Sequence, residues 1–240
     1  VHSTRDLYPM LTQVPEIEIV SICDRNIEKA RKVAKQHSVI SFYSDYKEMI
    51  SSEQLDAVVI IGTPGMHFEI GSYCLDNGLH IFVEKPSALT PQKAKKLAIK
   101  ADENKKFGQV GHFLRHMPAL LSAKEISCSK EFGSPVMFSG KYFTNGPWEP
   151  RKNWELDDVN WTYMLVQGVH LVDLSRYFMG EVVRLNAKKH ISEKGRPMFC
   201  ANLKFQSGTL GCLTFNASSP NWQTSIDLIG DEPSILKVDN

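Results

Sequence analysis

Asp24 stands at the end of Ile17 to Cys23, where apolar and polar positions alternate as in a strand, and Glu84-Lys85-Pro86 closes a second extended run, Leu79 to Val83. An acid at a strand's carboxyl end accepts hydrogen bonds from adenine-ribose hydroxyls in dinucleotide-binding folds, although it could equally cap the helix that follows. Arg25 beside it could receive the 2′-phosphate of NADP, so the pair leaves NAD and NADP both open. Lys85 could donate a proton or a hydrogen bond to a substrate hydroxyl, its pKa lowered by partial burial and by a cationic nicotinamide nearby. A surface turn with a Glu–Lys ion pair is the plainer alternative. Farther along, His170 and Asp173 lie three apart in a helical pattern and share a face with Gln167, Leu174 and Tyr177. Histidine suits a general base for an alcohol, and a histidine satisfied within helix packing fits the same pattern. Trp148, Trp154 and Trp161, in a loop rich in Pro and Gly, could wall a pocket or fill the interface between the two halves.

The glycine-rich turn that should precede a ribose-binding acid by about 20 residues does not occur, and no glycine precedes Gly62. Counting back from Asp24 places Val1 near the first turn of the helix that follows such a loop, so the chain is expected to start inside a dinucleotide domain. Backbone N–H groups of that loop cradle the pyrophosphate; weak or absent dinucleotide binding is therefore expected of these residues alone.

The elements that must position these side chains alternate in the first half. Helical patterns at 5–13, 26–37, 45–51, 66–77 and 91–105 separate extended runs at 17–23, 55–61, 79–83 and 107–113. Thr90-Pro91 is a helix start, Asn77-Gly78 a helix stop. Leu55 to Ile61 is a continuous β-branched run of the kind buried on both faces of a parallel sheet. This alternation predicts a doubly wound parallel α/β sheet over residues 1–118. Beyond a helix at 118–130, strands at 135–143, 182–190, 198–206, 209–217 and 223–230 surround one long helix, 160–179, with a hairpin turn at Phe205 to Thr209. Residues 119–240 therefore read as an α+β domain with a largely antiparallel open sheet.

Composition narrows the partners. The 240 residues are 42% hydrophobic and 23% charged, which excludes disorder, collagen and coiled coil, and a net charge of +1 offers no field for nucleic acid or an anionic membrane surface. Five scattered cysteines without a C-x-x-C spacing read as reduced packing residues of a cytoplasmic protein, with no metal site. No run approaches the roughly 18 apolar residues of a membrane span.

Taken in order, SICDRN, YSDY, LDAVVIIGTPGMH, GLHIFVEKP, QVGHFLRHMPA, GVHLVDLSRYFMGEV and FQSGTLGCLTFN resemble the Gfo/Idh/MocA family of NAD(P)-dependent oxidoreductases. The resemblance implies a Rossmann domain, here lacking its first strand, followed by an α+β domain whose open sheet forms a homo-oligomer, and a chain trimmed at both ends. It implies hydride transfer between NAD or NADP and a hydroxyl-bearing carbon of a sugar, sugar derivative or cyclic polyol. Under it, Asp24 and Arg25 hold the adenine ribose, Thr63, Pro64 and His67 line the cofactor cleft, and Glu84 and Lys85 meet the nicotinamide side. Lys85 and His170 carry the catalysis, while Asp173, Trp154 and Arg115 bind substrate, Asp173 alternatively orienting His170. Many members carry an acid one helical turn before the histidine, where this chain has Val166. Two alternatives remain on the same fold: a non-catalytic NAD(P)-binding regulator and an NAD-dependent glycosidase.

Overall fold

Side-chain caps set where the helices of the first half begin. In the computed structural model, which describes residues 7–145 and 148–239, Asn26, Asp45, Thr63 and Thr90 each accept a hydrogen bond from a backbone N–H of the following first turn. Pro64 and Pro91 take first-turn positions where no backbone donor is needed. The resulting order is α1 (Tyr8–Leu11), β1 (Ser21–Cys23), α2 (Ile27–Gln36), β2 (Ser41–Tyr43), α3 (Tyr46–Ser52), β3 (Ala57–Ile60), α4 (Pro64–Asp76), β4 (His80–Val83), α5 (Pro91–Glu103) and β5 (Gly108–Val110). Every strand pair here is parallel: β1 with β2, and β3 with β4 with β5. This is the parallel α/β arrangement that the alternation of patterns predicts.

Several boundaries differ from expectation. Residues 5 and 6 of the first helical pattern lie outside the described residues, and its helix covers only Tyr8–Leu11. The run 17–23 forms a ladder only from Ser21 to Cys23, because β2 offers three partners. α4 starts at Pro64 rather than at 66, since Thr63 caps it. β3 is buried on one face only: Val58 and Ile60 are enclosed, but Ala57 is exposed and Val59 is 41% exposed. No described element covers that face. The run 107–113 pairs only over Gly108–Val110, then turns into a 3-10 helix, Phe113–His116.

The chain divides into two compact units, 1–110 and 111–240. In the second, α6 (Pro118–Ser127), β6 (Pro135–Phe143), α7 (Val159–Tyr163), a π-helical segment (Met164–Gly168) and α8 (Val169–Met179) precede β7 (Val182–Ile191), β8 (Pro197–Phe205), β9 (Leu210–Asn216), β10 (Gln223–Gly230) and β11 (Ile235–Asp239). The six strands lie in the order β11-β10-β6-β9-β8-β7, antiparallel except where β6 meets β9. The expected hairpin is present, with Gly208 at φ +91° and the Phe205 N–H donating to the Thr209 carbonyl. The sequence reading omits β11 and takes the helix as unbroken across the π segment.

Helices pack on one face of this sheet. Phe138, Leu171, Leu174, Phe205, Leu213, Phe215 and Ile226 form a dry core there, while alternate residues such as Ser139, Lys141, Cys200 and Asn202 face the other side. Cys200 and Cys128 are both exposed. The expectation that all five cysteines are packing residues therefore fails for these two, one on the uncovered sheet face and one just past α6.

At Gly140 a β-carbon would stand 2.6 Å from Leu171 Cδ1 and 2.9 Å from Phe138 Cε1. Both neighbours are fully enclosed and cannot yield cheaply. Gly140→Ala is expected to lower stability by about 1–3 kcal/mol, measured by urea unfolding. Ser139→Ala, on the uncovered face, should stay within about 0.5 kcal/mol of the parent.

Candidate functional site

On the first unit the candidate residues gather at the carboxyl ends of parallel strands. β3 and β4 pair Ile60 with Val83, so both strands end level, and the Glu84 N–H donates to the Ile60 carbonyl at 3.0 Å. Residues 61–64 and 84–86 therefore leave the sheet side by side. The Lys85 N–H donates to Glu84 Oε2 at 3.1 Å, and the Lys85–Pro86 peptide is cis. Thr63 is half-buried at the head of α4, with Pro64 buried behind it.

His67, in the first turns of α4, is 1% exposed. Its Nε2 accepts the Gly62 N–H at 2.9 Å, and its Nδ1 lies 2.8 Å from the Pro86 carbonyl. A backbone N–H can only donate and a carbonyl can only accept, so these partners require a neutral ring with its proton on Nδ1. Burial lowers its pKa, the Pro86 carbonyl and the Glu84 charge raise it, and Lys85 lowers it, for a net decrease. His67 thus faces backbone groups rather than an open cleft.

Asp24 follows β1, its N–H donating to the Tyr43 carbonyl of β2 at 3.1 Å. Oδ1 accepts the Asn26 N–H at 3.0 Å, and Oδ2 is paired with Lys29 Nζ. Partial burial acts to raise its pKa, but the Lys29 and Asn26 hydrogen bonds and the charges of Lys29 and Arg25 hold it below the usual carboxylate value. Both alternatives for Asp24 thus find some basis: it organises the entry to α2, where Asn26 is the cap, and it presents a carboxylate at a strand end beside an exposed Arg25.

On the second unit, His170 is 3% exposed at the start of α8. The Tyr142 ring stacks on it with centroids 5.8 Å apart, and the Phe113 ring meets it edge-on at 5.2 Å. The Tyr142 hydroxyl donates to Gln167 Oε1 at 3.0 Å, within the π-helical segment, and burial pushes its pKa strongly upward. Such π segments recur at functional sites. At Gly168 a β-carbon would sit 2.7 Å from Met164 Cε, the far end of a flexible side chain. Val166 is buried in the same turn.

Asp173 is 8% exposed and held by two nitrogens of one guanidinium: Arg115 Nε at 2.7 Å and Nη2 at 2.6 Å. His112 Nδ1 lies 3.8 Å from Asp173 Oδ2. The Arg115 guanidinium also lies over the Tyr177 ring at 5.0 Å, and the Asp173 hydrogen bond raises the Arg115 pKa against the effect of burial. Two residues named separately in the sequence are therefore one bidentate pair. Trp154 ends a short 3-10 helix with the Arg151 guanidinium 4.3 Å from its ring centre, and Trp148 donates to Thr144 Oγ1. His112, Phe113 and Tyr142 escape sequence reasoning as candidates; the clustering of His112, Arg115 and His116 before Pro118 is a signal for the first two, and Tyr142 has none.

The donor set suits a dinucleotide at both of its ends. Asp24 offers acceptors for ribose hydroxyls, Arg25 offers a cation, and Glu84 and Lys85 offer polar groups at the neighbouring strand ends. Among the described residues no group of three or more His, Cys, Asp or Glu side chains could hold a metal ion, and no helix is long and apolar enough to cross a membrane.

Residues 2–112 match a model described as an oxidoreductase family with an NAD-binding Rossmann fold, and residues 120–236 match the C-terminal domain of the same Gfo/Idh/MocA group. The chain is 26% identical over 236 residues to scyllo-inositol 2-dehydrogenase (NAD(+)) of Bacillus subtilis, covering 95% of this chain and 68% of that protein. It is 25% identical over 231 residues to an inositol 2-dehydrogenase of Rubrobacter xylanophilus, covering 93% and 64%. The chain thus spans about two thirds of the length of these relatives. A crystal structure of a dehydrogenase from Chromobacterium violaceum superimposes with a TM-score of 0.94 at 28% identity, over 100% of this chain and 70% of that one.

Removing the Asp173 carboxylate strands a half-buried guanidinium. Asp173→Ala is expected to cost about 1–3 kcal/mol, and a double-mutant cycle with Arg115→Met should give a coupling of about 1–2 kcal/mol; additivity would show that the two do not interact. The His67 environment predicts a pH effect of definite sign. Its folded pKa lies below the ordinary 6.5, so the unfolded chain binds the proton first and stability is lost as pH falls from 6.5 toward the folded value. Urea midpoints measured through that window should fall more steeply for the parent than for His67→Gln.

Proposed function

Because the chain belongs to the Gfo/Idh/MocA oxidoreductase family, we propose that a protein carrying it together with the glycine-rich loop these residues lack oxidises a hydroxyl-bearing carbon of a cyclic polyol or sugar, or reduces the corresponding ketone, with NAD or NADP as cofactor. The observation that carries the proposal is Glu84-Lys85-Pro86 at a parallel strand end, within a chain that both family models match along nearly its whole length. Two of the relatives are inositol 2-dehydrogenases, which supports a polyol substrate, and the near-neutral charge of the chain agrees with a neutral one.

When bound, the nicotinamide ring takes up or returns the hydride; the protein must orient the reactants and manage one proton. Asp24 accepts from the adenine-ribose hydroxyls, and Arg25 supplies the cation that a 2′-phosphate would require. Thr63, Pro64 and the Glu84 carboxylate shape the strand-end surface that receives the rest of the cofactor. Lys85 Nζ donates to the reacting oxygen, which stabilises the negative charge that develops there as the hydroxyl loses its proton. His170, enclosed with the rings of Tyr142 and Phe113, is the acid/base residue of the second unit. The Arg115–Asp173 pair and Trp154 are the substrate-binding groups of the second unit. The uncovered face of the six-stranded sheet is the surface through which copies of the chain assemble.

Lys85→Met is expected to lower turnover at least about 100-fold while NAD affinity stays within about threefold. NADH should accumulate one for one with oxidised product across a panel of inositols and sugars. Unchanged turnover in the variant would remove Lys85 from the chemistry, and product without net NADH would point to a glycosidase instead.

A further inference from the structure

The imidazole of His67 bridges the ends of two adjacent parallel strands at a level where the backbone ladder has already stopped. The last backbone rung runs from the Glu84 N–H to the Ile60 carbonyl. Beyond it, the Gly62 N–H and the Pro86 carbonyl belong to turns that leave β3 and β4, and each finds its partner on one ring. The ring sits on α4, which is anchored by its own Thr63 cap and Pro64 start. It is enclosed and rotationally fixed by the two bonds, so the separation of the turns is set by the width of an imidazole.

We infer that His67 is a positioning residue, holding the Glu84-Lys85-Pro86 turn against the Gly62-Thr63 turn so that Lys85 keeps one orientation. This rests on the reading of Lys85 given above, and it assigns His67 no contact with substrate or cofactor. Its two bonds are chemically separable. Asparagine at this position presents an amide N–H close to where Nδ1 lies and keeps the donor to Pro86, but cannot reach Gly62. Glutamine presents an amide oxygen close to where Nε2 lies and keeps the acceptor for Gly62, but leaves the Pro86 carbonyl without its donor.

The test uses the protein with His67→Asn and His67→Gln and two readouts that need no turnover. One is hydrogen exchange at the Gly62 amide; the other is the rate of acylation of Lys85, followed by mass spectrometry of its peptide. For His67→Asn the Gly62 amide should exchange about tenfold or more faster, with Lys85 acylation within twofold of the parent. For His67→Gln the Gly62 amide should stay protected, while Lys85 acylation changes at least about fivefold and kcat falls more than KM changes. Equal responses of Lys85 to both variants, in proportion to their loss of thermal stability, would overturn the inference, as would no response to either. Should the protein oxidise no polyol at all, exchange and acylation would still decide the role of His67 separately from that of the proposed reaction.

Discussion

The Glu84 N–H and the Ile60 carbonyl, 3.0 Å apart, close a parallel ladder whose register brings β3 and β4 to an end at the same height. Parallel strands must be joined by crossovers, and here α4 provides the one between them, starting directly after β3. The placement of the two turns at residues 61–64 and 84–86 follows from that levelling. The turns after the two strands have backbone groups that no further strand satisfies, and their proximity lets one enclosed imidazole serve both. A one-residue change of register would carry Lys85 to the opposite face and separate the Gly62 N–H from the Pro86 carbonyl.

The second unit meets a different constraint, that of keeping a polar cluster inside a dry one. α8 can lie close to the sheet because Gly140 has no side chain to hold it off, and this brings His170 down beside Tyr142 of the adjacent strand position. The polar groups on and near α8 are then satisfied in pairs: Tyr142 with Gln167, Asp173 with Arg115. A buried carboxylate is tolerable only with such a partner. The guanidinium is placed by the 3-10 turn that follows the end of β5, so a short irregular segment does the positioning.

Local signals were the legible ones. Thr90-Pro91 and Asn77-Gly78 carry their meaning within a few residues, and the helices start or stop there. β6 and β10 match their sequence runs end for end because alternating burial imprints directly on the residues. The π segment left no local mark, since a five-residue hydrogen-bond spacing depends on how the helix packs rather than on its composition. β11 is short and follows a turn closely, so its alternation has little length in which to show. At the site, Lys85 and His170 were visible as types in a pattern, but the Arg115–Asp173 pair spans 58 positions and the enclosure of His67 depends on the third dimension. Asp24 was visible with two alternative roles, and its pairing with Lys29 forms only in the folded chain.

The proposed function stands on direct hydride transfer from a carbinol carbon to a nicotinamide in a protein that completes this chain with a glycine-rich loop. A cyclic polyol bearing deuterium on the reacting carbon, incubated with unlabelled NAD, measures this most directly. Direct transfer puts the deuterium at C4 of the reduced nicotinamide, on one face, and washes none into solvent. Deuterium released to water, or a reduced cofactor without label, would contradict it.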